Sequence, residues 1–259
     1  MLDHLAHIRR ESERFIQVLA ASDPAAEVPT CPGWSASDLL WHLAEVHLFW
    51  AAVVGDRLQD PDEAEARKPS RPTDHPALVA LMREASAALV ESLATTPVDT
   101  PVWTWWDDDQ TAGFVLRWQA HEALMHRLDA ELTADAVSPI DPALAADGVD
   151  VVLRFSYAWI PDWAPFAPSG VVGRVETTDT DDSWLVELGR FTGTSPNTGK
   201  HWDQPVLRVV DRGRPTFTAR GPSADLDRWL WSRGIAVPDV EGDRAGFDEL
   251  AAIVATGVQ

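Results

Sequence analysis

The sequence contains a single cysteine, Cys31, among its 259 residues. One cysteine excludes an internal disulfide and any zinc site built from several cysteines. Cys31 lies in the segment PTCPGW, directly before a predicted helix. A lone cysteine beside proline and tryptophan is more typical of a packing residue than of a reactive thiolate. If thiol chemistry occurs in this protein, we therefore expect the sulfur to arrive with a cofactor.

Basic residues are also scarce, with 21 lysines and arginines against 41 acidic residues and a formal net charge of −20. Such a charge repels phosphate backbones and anionic membrane surfaces, and no basic patch interrupts it. The sequence also lacks a signal-peptide pattern and an apolar run of about 18 residues, the length that a membrane span needs. We therefore expect a cytoplasmic protein without a nucleic-acid or membrane partner, and the oligomeric state stays open.

The pattern of apolar residues changes from a helical to a strand period along the chain. Apolar residues at three- and four-residue spacings predict four helices in the first half, over residues 2–19, 35–55, 76–94 and 111–134. The proline-containing segment AVSPIDP predicts a boundary between domains 1–138 and 139–259. A fifth helix at 144–159, four alternating segments and a Ser-capped helix ending at Gly234 follow. The expected fold class is a helical bundle followed by a smaller α+β domain with an antiparallel sheet.

The fourth predicted helix carries a polar stripe made of Glu122, His126 and Asp129. A zinc protease of the H-E-x-x-H type is excluded, because His121 and His126 are five residues apart and so about 140° apart around a helix. Glu122 and His126, one turn apart, can bind one divalent ion and leave positions open for a third ligand and a substrate. His121 falls in the leucine stripe, where we expect it to line the core.

The second predicted helix offers two histidines as a third ligand. His42 lies beside the inward apolar face, whereas His47 lies on the other flank and farther from its centre. Either residue fits a histidine at the edge of the core, and the incomplete ligand pair on the fourth helix favours His42 as a ligand. Asp129 has two interpretations as well, because it can orient a ligand from behind or pair with Arg127.

A tryptophan-rich segment, VWTWWDDDQ, precedes the fourth helix and contains Trp103, Trp105 and Trp106. These side chains are expected to cover the end of the bundle, and the alternative is that they form the wall of a substrate pocket. The three aspartates that follow them are typical of a solvated turn.

The segments described above together resemble a known family. CPGW, the capped helix with His42, the tryptophan-rich loop and RWQAHEALMHRLDAE resemble the metal-binding N-terminal domain of mycothiol-dependent maleylpyruvate isomerases, which is a four-helix bundle of the DinB-like type. The segment ARGPSADLDRWLWSRG is similar to the C-terminal domain of the same family, a small sterol-carrier-like α+β fold. The matching segments extend over nearly the whole chain.

The resemblance implies a Zn²⁺ ion held by His42, Glu122 and His126, with a position open for the thiol of mycothiol, the low-molecular-weight thiol of actinobacteria. It further implies that the thiolate adds to the double bond of an unsaturated acid such as maleylpyruvate, that the bond rotates, and that elimination returns the trans isomer. An arginine fork would hold the substrate carboxylates. Arg233 is the candidate for this catalytic role, with Arg220 second.

Proteins of the same fold can catalyse different reactions, so several functions stay open for this protein. The first is a zinc-dependent, mycothiol-using enzyme, either an isomerase or an S-transferase that joins the thiol to an electrophile. The second is a non-catalytic metal- or ligand-binding module, and the third is a thiol-independent zinc hydrolase.

Overall fold

The structure, a computed structural model, describes residues 2–234 and 236–257. It divides into two compact units, Met1–Pro139 and Ile140–Gln259. Within the described residues, none of the helices combines the length and the apolar character that crossing a membrane requires.

The N-terminal unit is a bundle of four long helices, as predicted. Helix α1 packs against α4 and α5, and helix α2 packs against α4 and α5. The core between them is built mainly from leucine and alanine side chains. A short helix, α3, lies in the charged segment between α2 and α4. The helices of this unit are α1 (His4–Ala21), α2 (Ala36–Gly55), α3 (Pro61–Glu65), α4 (His75–Thr95) and α5 (Ala112–Thr133).

The start of α2 is specified by a capping box, which confirms the sequence interpretation. The Ser35 hydroxyl accepts a hydrogen bond from the Asp38 backbone N–H at 3.2 Å, and the Asp38 carboxylate accepts one from the Ser35 N–H at 2.8 Å. This reciprocal pair satisfies two backbone donors that the first turn of a helix otherwise leaves unpaired. The register of α2, and with it the position of His42 on the helix face, is set at this cap.

The C-terminal unit is an α+β domain with a five-stranded sheet in the order β3-β2-β1-β4-β5. Its elements are α6 (Pro142–Val151), a π-helical turn (Val152–Ser156), β1 (Phe166–Thr177), β2 (Ser183–Thr194), β3 (His201–Val210), β4 (Phe217–Gly221), α7 (Ser223–Leu230), β5 (Asp239–Gly242) and α8 (Arg244–Val254). The sheet is mixed rather than wholly antiparallel, because β4 pairs with β1 in parallel. Alternation of apolar and polar residues marks a strand but not its direction, so this pair was not predictable from the pattern.

The end of the chain differs from the prediction in three further ways. Helix α7 has no side-chain cap, because its N-cap residue is Pro222, and the Ser223 hydroxyl in the first turn donates to Asp179 at 3.1 Å. The helix ends at Leu230 and not at Gly234. Strand β5 and helix α8 were not predicted, and β5 is only four residues long, which is too short for a clear alternating pattern.

Candidate metal centre

Two helices of the bundle bring the predicted ligands together. His42 lies in the second turn of α2, and Glu122 and His126 lie one turn apart in the middle of α5. Because α2 and α5 pack against each other, the polar stripe of α5 faces the ring of His42. The imidazole of His42 also packs against the indole of Trp34, with the two ring centroids 4.9 Å apart.

The ligand atoms of these three residues all lie within 4.8 Å of one another. The Glu122 Oε1 atom lies 3.2 Å from His126 Nε2 and 3.8 Å from His42 Nε2. The two imidazole rings stand edge to face, with centroids 4.9 Å apart and an interplanar angle of 77°. The side chain of His126 is 8% exposed, that of Glu122 17% and that of His42 30%. The cluster is therefore closed on the side of α5 and accessible on the side of His42.

The hydrogen bonds and charges of the cluster favour an ionised Glu122 carboxylate beside a positive charge. Burial alone would raise the pKa of Glu122, but hydrogen bonding to His126 and His42 outweighs it and holds that pKa well below its usual range. Burial alone would lower the pKa of His126, but its hydrogen bonds to Asp129 and Glu122 raise it to about 9. An ionised Glu122 thus stabilises a cation at this position, whether a proton on the ring or a metal ion.

The structure separates the two interpretations of Asp129. Its Oδ2 atom lies 3.0 Å from His126 Nδ1, on the side of the ring opposite to Glu122. Arg127 forms ion pairs with Glu11 at 2.9 Å and with Glu131 at 2.6 Å. Asp129 therefore contacts the candidate ligand His126, whereas Arg127 pairs with Glu11 and Glu131.

His47 lies deeper in the core than its place on the helix indicated. It was expected on the other flank of α2, farther from the centre of the inward face than His42, and it is 0% exposed. The apolar face of α2 is wider than one stripe, because α4 and α5 cover it from two sides. Burial lowers the pKa of His47 to about 3, so the ring is neutral at pH 7. His121, in contrast, is fully buried as expected.

Trp103 and Trp105 of the loop before α5 pack on aromatic side chains of the bundle. Trp103 stacks on Trp50 at 5.8 Å between ring centroids, and Trp105 contacts Trp118 edge to face at 4.8 Å. Trp106 contacts Trp105 at 6.0 Å. These contacts fit the expectation that the loop covers the end of the bundle.

The two candidate arginines belong to the C-terminal unit. The Arg233 side chain donates from Nη1 to the carbonyl of Trp231 at 2.9 Å, just beyond the end of α7. Arg220, on β4, lies 3.5 Å from a carboxylate oxygen of Glu176 and 3.6 Å from one of Glu241. Their role in substrate binding stays a prediction.

Comparison with known proteins agrees with this description. Residues 5–131 match the family described as the mycothiol maleylpyruvate isomerase N-terminal domain. A crystal structure of a mycothiol-dependent maleylpyruvate isomerase is 16% identical, with a TM-score of 0.57 and 93% of each chain covered. A histidine-to-alanine variant of such an isomerase is 15% identical, with a TM-score of 0.59 and the same coverage. A search of curated proteins finds no match.

The N-terminal domain of this chain therefore belongs to the mycothiol maleylpyruvate isomerase N-terminal domain family. The two solved structures show that the fold of the chain, a DinB-like helical bundle followed by an α+β domain, is that of mycothiol-dependent maleylpyruvate isomerases.

Proposed function

We propose that this protein is a zinc-dependent enzyme that uses mycothiol, with His42, Glu122 and His126 holding the metal ion. The observation that carries the proposal is the convergence of two imidazole nitrogens and one carboxylate oxygen from two separate helices, in a domain of this family. Two histidines and one glutamate are a ligand set typical of catalytic zinc, which keeps a fourth position open.

The separations between the donor atoms fit such an ion. Bonds of about 2.0–2.1 Å in a tetrahedron place neighbouring ligand atoms about 3.3 Å apart. The observed separations of 3.2 Å and 3.8 Å from Glu122 Oε1 lie close to that value. A side-chain rotation of His42, which is the most exposed of the three, is enough to bring its Nε2 atom closer.

The chain's own residues prepare the cluster for a bound thiol. A zinc ion, when bound, acts as a Lewis acid and favours the deprotonated form of a coordinated thiol. Glu122 supplies one negative charge, and the neutral rings of the histidines leave the net charge of the site positive once the ion is present. Access is from the side of His42, where Trp34 offers an apolar wall next to the ring.

The reaction that we propose is the cis–trans isomerisation of an unsaturated acid such as maleylpyruvate, or the transfer of the thiol to an electrophile. In both reactions the substrate is small and polar, and the isomerisation substrate carries carboxylates. Arg233 is the proposed partner of a substrate carboxylate, because a guanidinium fork binds a carboxylate through two parallel hydrogen bonds.

The test is a turnover assay of the zinc-loaded protein with and without mycothiol, using maleylpyruvate in one series and a generic electrophile in the other. We expect turnover only when both zinc and the thiol are present, and we expect His126→Ala to abolish it. The exposed His201 provides the matched control, and His201→Ala should retain activity. Zinc-dependent hydrolysis without thiol would overturn the proposal in favour of a hydrolase, and the absence of thiol binding to the zinc-loaded protein would favour a non-catalytic module.

A further inference from the structure

Asp129 lies directly behind the candidate ligand His126 and is completely buried. Its side chain is 0% exposed, and its Oδ2 atom is 3.0 Å from His126 Nδ1. The other carboxylate oxygen, Oδ1, accepts a hydrogen bond from the Thr30 hydroxyl at 2.6 Å. The thiol of Cys31 lies 3.9 Å from Oδ2. The segment PTCPGW therefore contacts this carboxylate, although the sequence alone did not connect the two.

Backbone hydrogen bonds within the loop hold the segment that carries Thr30. The Cys31 N–H donates to the Val28 carbonyl at 3.1 Å, the Trp34 N–H to the Cys31 carbonyl at 3.0 Å, and the Val28 N–H to the Trp34 carbonyl at 2.9 Å. These bonds hold the backbone on both sides of Thr30 and tie it to the backbone of Trp34. Since the Trp34 indole packs against the ring of His42, the loop supports one ligand directly and the other through Asp129.

A carboxylate that accepts a hydrogen bond from an imidazole decides which ring nitrogen carries the proton. An ionised carboxylate is an acceptor only, so the Nδ1 atom that faces Asp129 must be the donor. Nε2 faces Glu122 at 3.2 Å, and once a metal ion displaces the proton from Nε2 the lone pair on this atom can coordinate the ion while Nδ1 keeps its proton.

We infer that Asp129, held in place by Thr30, is a positioning residue that fixes His126 in the Nδ1–H tautomer and aims its Nε2 atom at the metal position. The inference rests on the proposed metal site and adds to it the residues that prepare the ligand. Partners of this kind raise the basicity of a metal-binding histidine, and their loss typically weakens metal binding about 10- to 100-fold.

Two measurements on Asp129→Asn test the inference. The first is zinc affinity by competition with a chromophoric chelator, and the second is the ¹⁵N chemical shifts of the His126 ring in the metal-free protein above pH 9, where the ring is neutral and one nitrogen carries the proton. We expect roughly 10- to 100-fold weaker zinc binding. We also expect a shift toward the Nε2–H tautomer, because the amide of asparagine can donate to Nδ1. Asp108→Asn, an exposed aspartate in the loop before α5, is the matched control and should change neither quantity.

A merely structural role of Asp129 predicts a different outcome. A folded Asp129→Asn protein with wild-type zinc affinity and an unchanged Nδ1–H tautomer would overturn the inference. In the His126→Ala background we expect Asp129→Asn to have no further effect on zinc affinity, since Asp129 acts through that ring.

Thr30→Val provides a second route if Asp129→Asn does not fold. It removes one hydrogen bond to the carboxylate, and we expect a roughly threefold to tenfold loss of zinc affinity. An unchanged affinity in Thr30→Val would contradict the part of the inference that concerns the loop. If the wild-type protein binds no zinc, the proposed function fails, whereas the tautomer of His126 in the metal-free protein above pH 9 still tests the role of Asp129.

Discussion

Individual residues of the candidate site differ in how far the sequence could predict them. Glu122 and His126 were predictable because both lie on one helix, where a spacing of four residues places two side chains side by side. His42 lies on another helix, so its distance from the pair depends on the packing of α2 against α5, which no local pattern contains. The same packing buries His47, which the sequence placed on an outer flank.

The burial of His47 predicts a pH dependence of stability. The folded state keeps the ring neutral with a pKa of about 3, whereas the unfolded chain takes up a proton near pH 6.5. The unfolded state therefore binds more protons as the pH falls below 6.5, and the free energy of unfolding decreases. For one such residue the loss between pH 6.5 and pH 4.5 is about 2 to 3 kcal/mol.

The measurement is urea unfolding of the metal-free protein at pH 7.0, 5.5 and 4.5, compared with His47→Leu. We expect the variant to lose less stability across this range than the wild type, because leucine does not titrate. His201→Leu, at an exposed position, should leave the pH dependence unchanged. Identical pH dependence in His47→Leu and the wild type would show that His47 is not held neutral.

Arg233 carries a prediction about the substrate. If its guanidinium binds a carboxylate through two hydrogen bonds, Arg233→Lys keeps the charge but loses the fork. We expect a KM for maleylpyruvate that is raised roughly tenfold, with a smaller change in kcat. The kinetics of Arg190→Lys, an exposed arginine paired with Asp203, serve as the control. A KM within twofold of the wild-type value in Arg233→Lys would remove this residue from the proposed site.

At the scale of elements, a buried ionic network joins α1 to α5. The guanidinium of Arg127 is 3% exposed and pairs with Glu11 of α1 and with Glu131 of its own helix. Arg14 of α1 pairs with the other oxygen of Glu131 at 2.7 Å. Without Arg127, Glu131 would pair only with the partly exposed Arg14, and Glu11 only with the exposed Arg10, so two buried carboxylates would lose their buried counter-charge.

Because each carboxylate keeps one arginine, we expect Arg127→Met to lower the free energy of unfolding by about 3 kcal/mol, at the lower end of the cost of breaking a buried ion pair. Urea unfolding followed by circular dichroism at 222 nm measures the change. Arg83→Met, at an exposed position on α4, is the matched control and should change stability by less than about 0.5 kcal/mol. A similarly small effect in Arg127→Met would mean that the network contributes little to the packing of α1 on α5.

The helices were easier to predict than the sheet. The capping box at Ser35 and the three- and four-residue apolar spacings are local signals, and the bundle follows from them. The parallel pairing of β4 with β1 depends on where the chain goes after β3, and the four residues of β5 form a strand only because β4 lies beside them. Sheet order and direction are tertiary properties, which alternation along one strand does not encode.

At the scale of the whole molecule, the chain combines a DinB-like helical bundle with a separate α+β unit. The composition predicted the acidic character of the protein, and the resemblance of its motifs predicted the fold of both units, which the solved structures share. The reaction could not be predicted in the same way, because substrate specificity depends on a few side chains that one fold can carry in many versions.

The central claim is that one divalent ion binds where α2 and α5 meet. Its most direct test is the zinc content of zinc-loaded, exhaustively dialysed protein, measured by mass spectrometry for the wild type, Glu122→Gln, His126→Ala and the control His201→Ala. The account predicts about one zinc ion per chain in the wild type and the control, and a loss of most of it in the two site variants. Full zinc content in both Glu122→Gln and His126→Ala would contradict it.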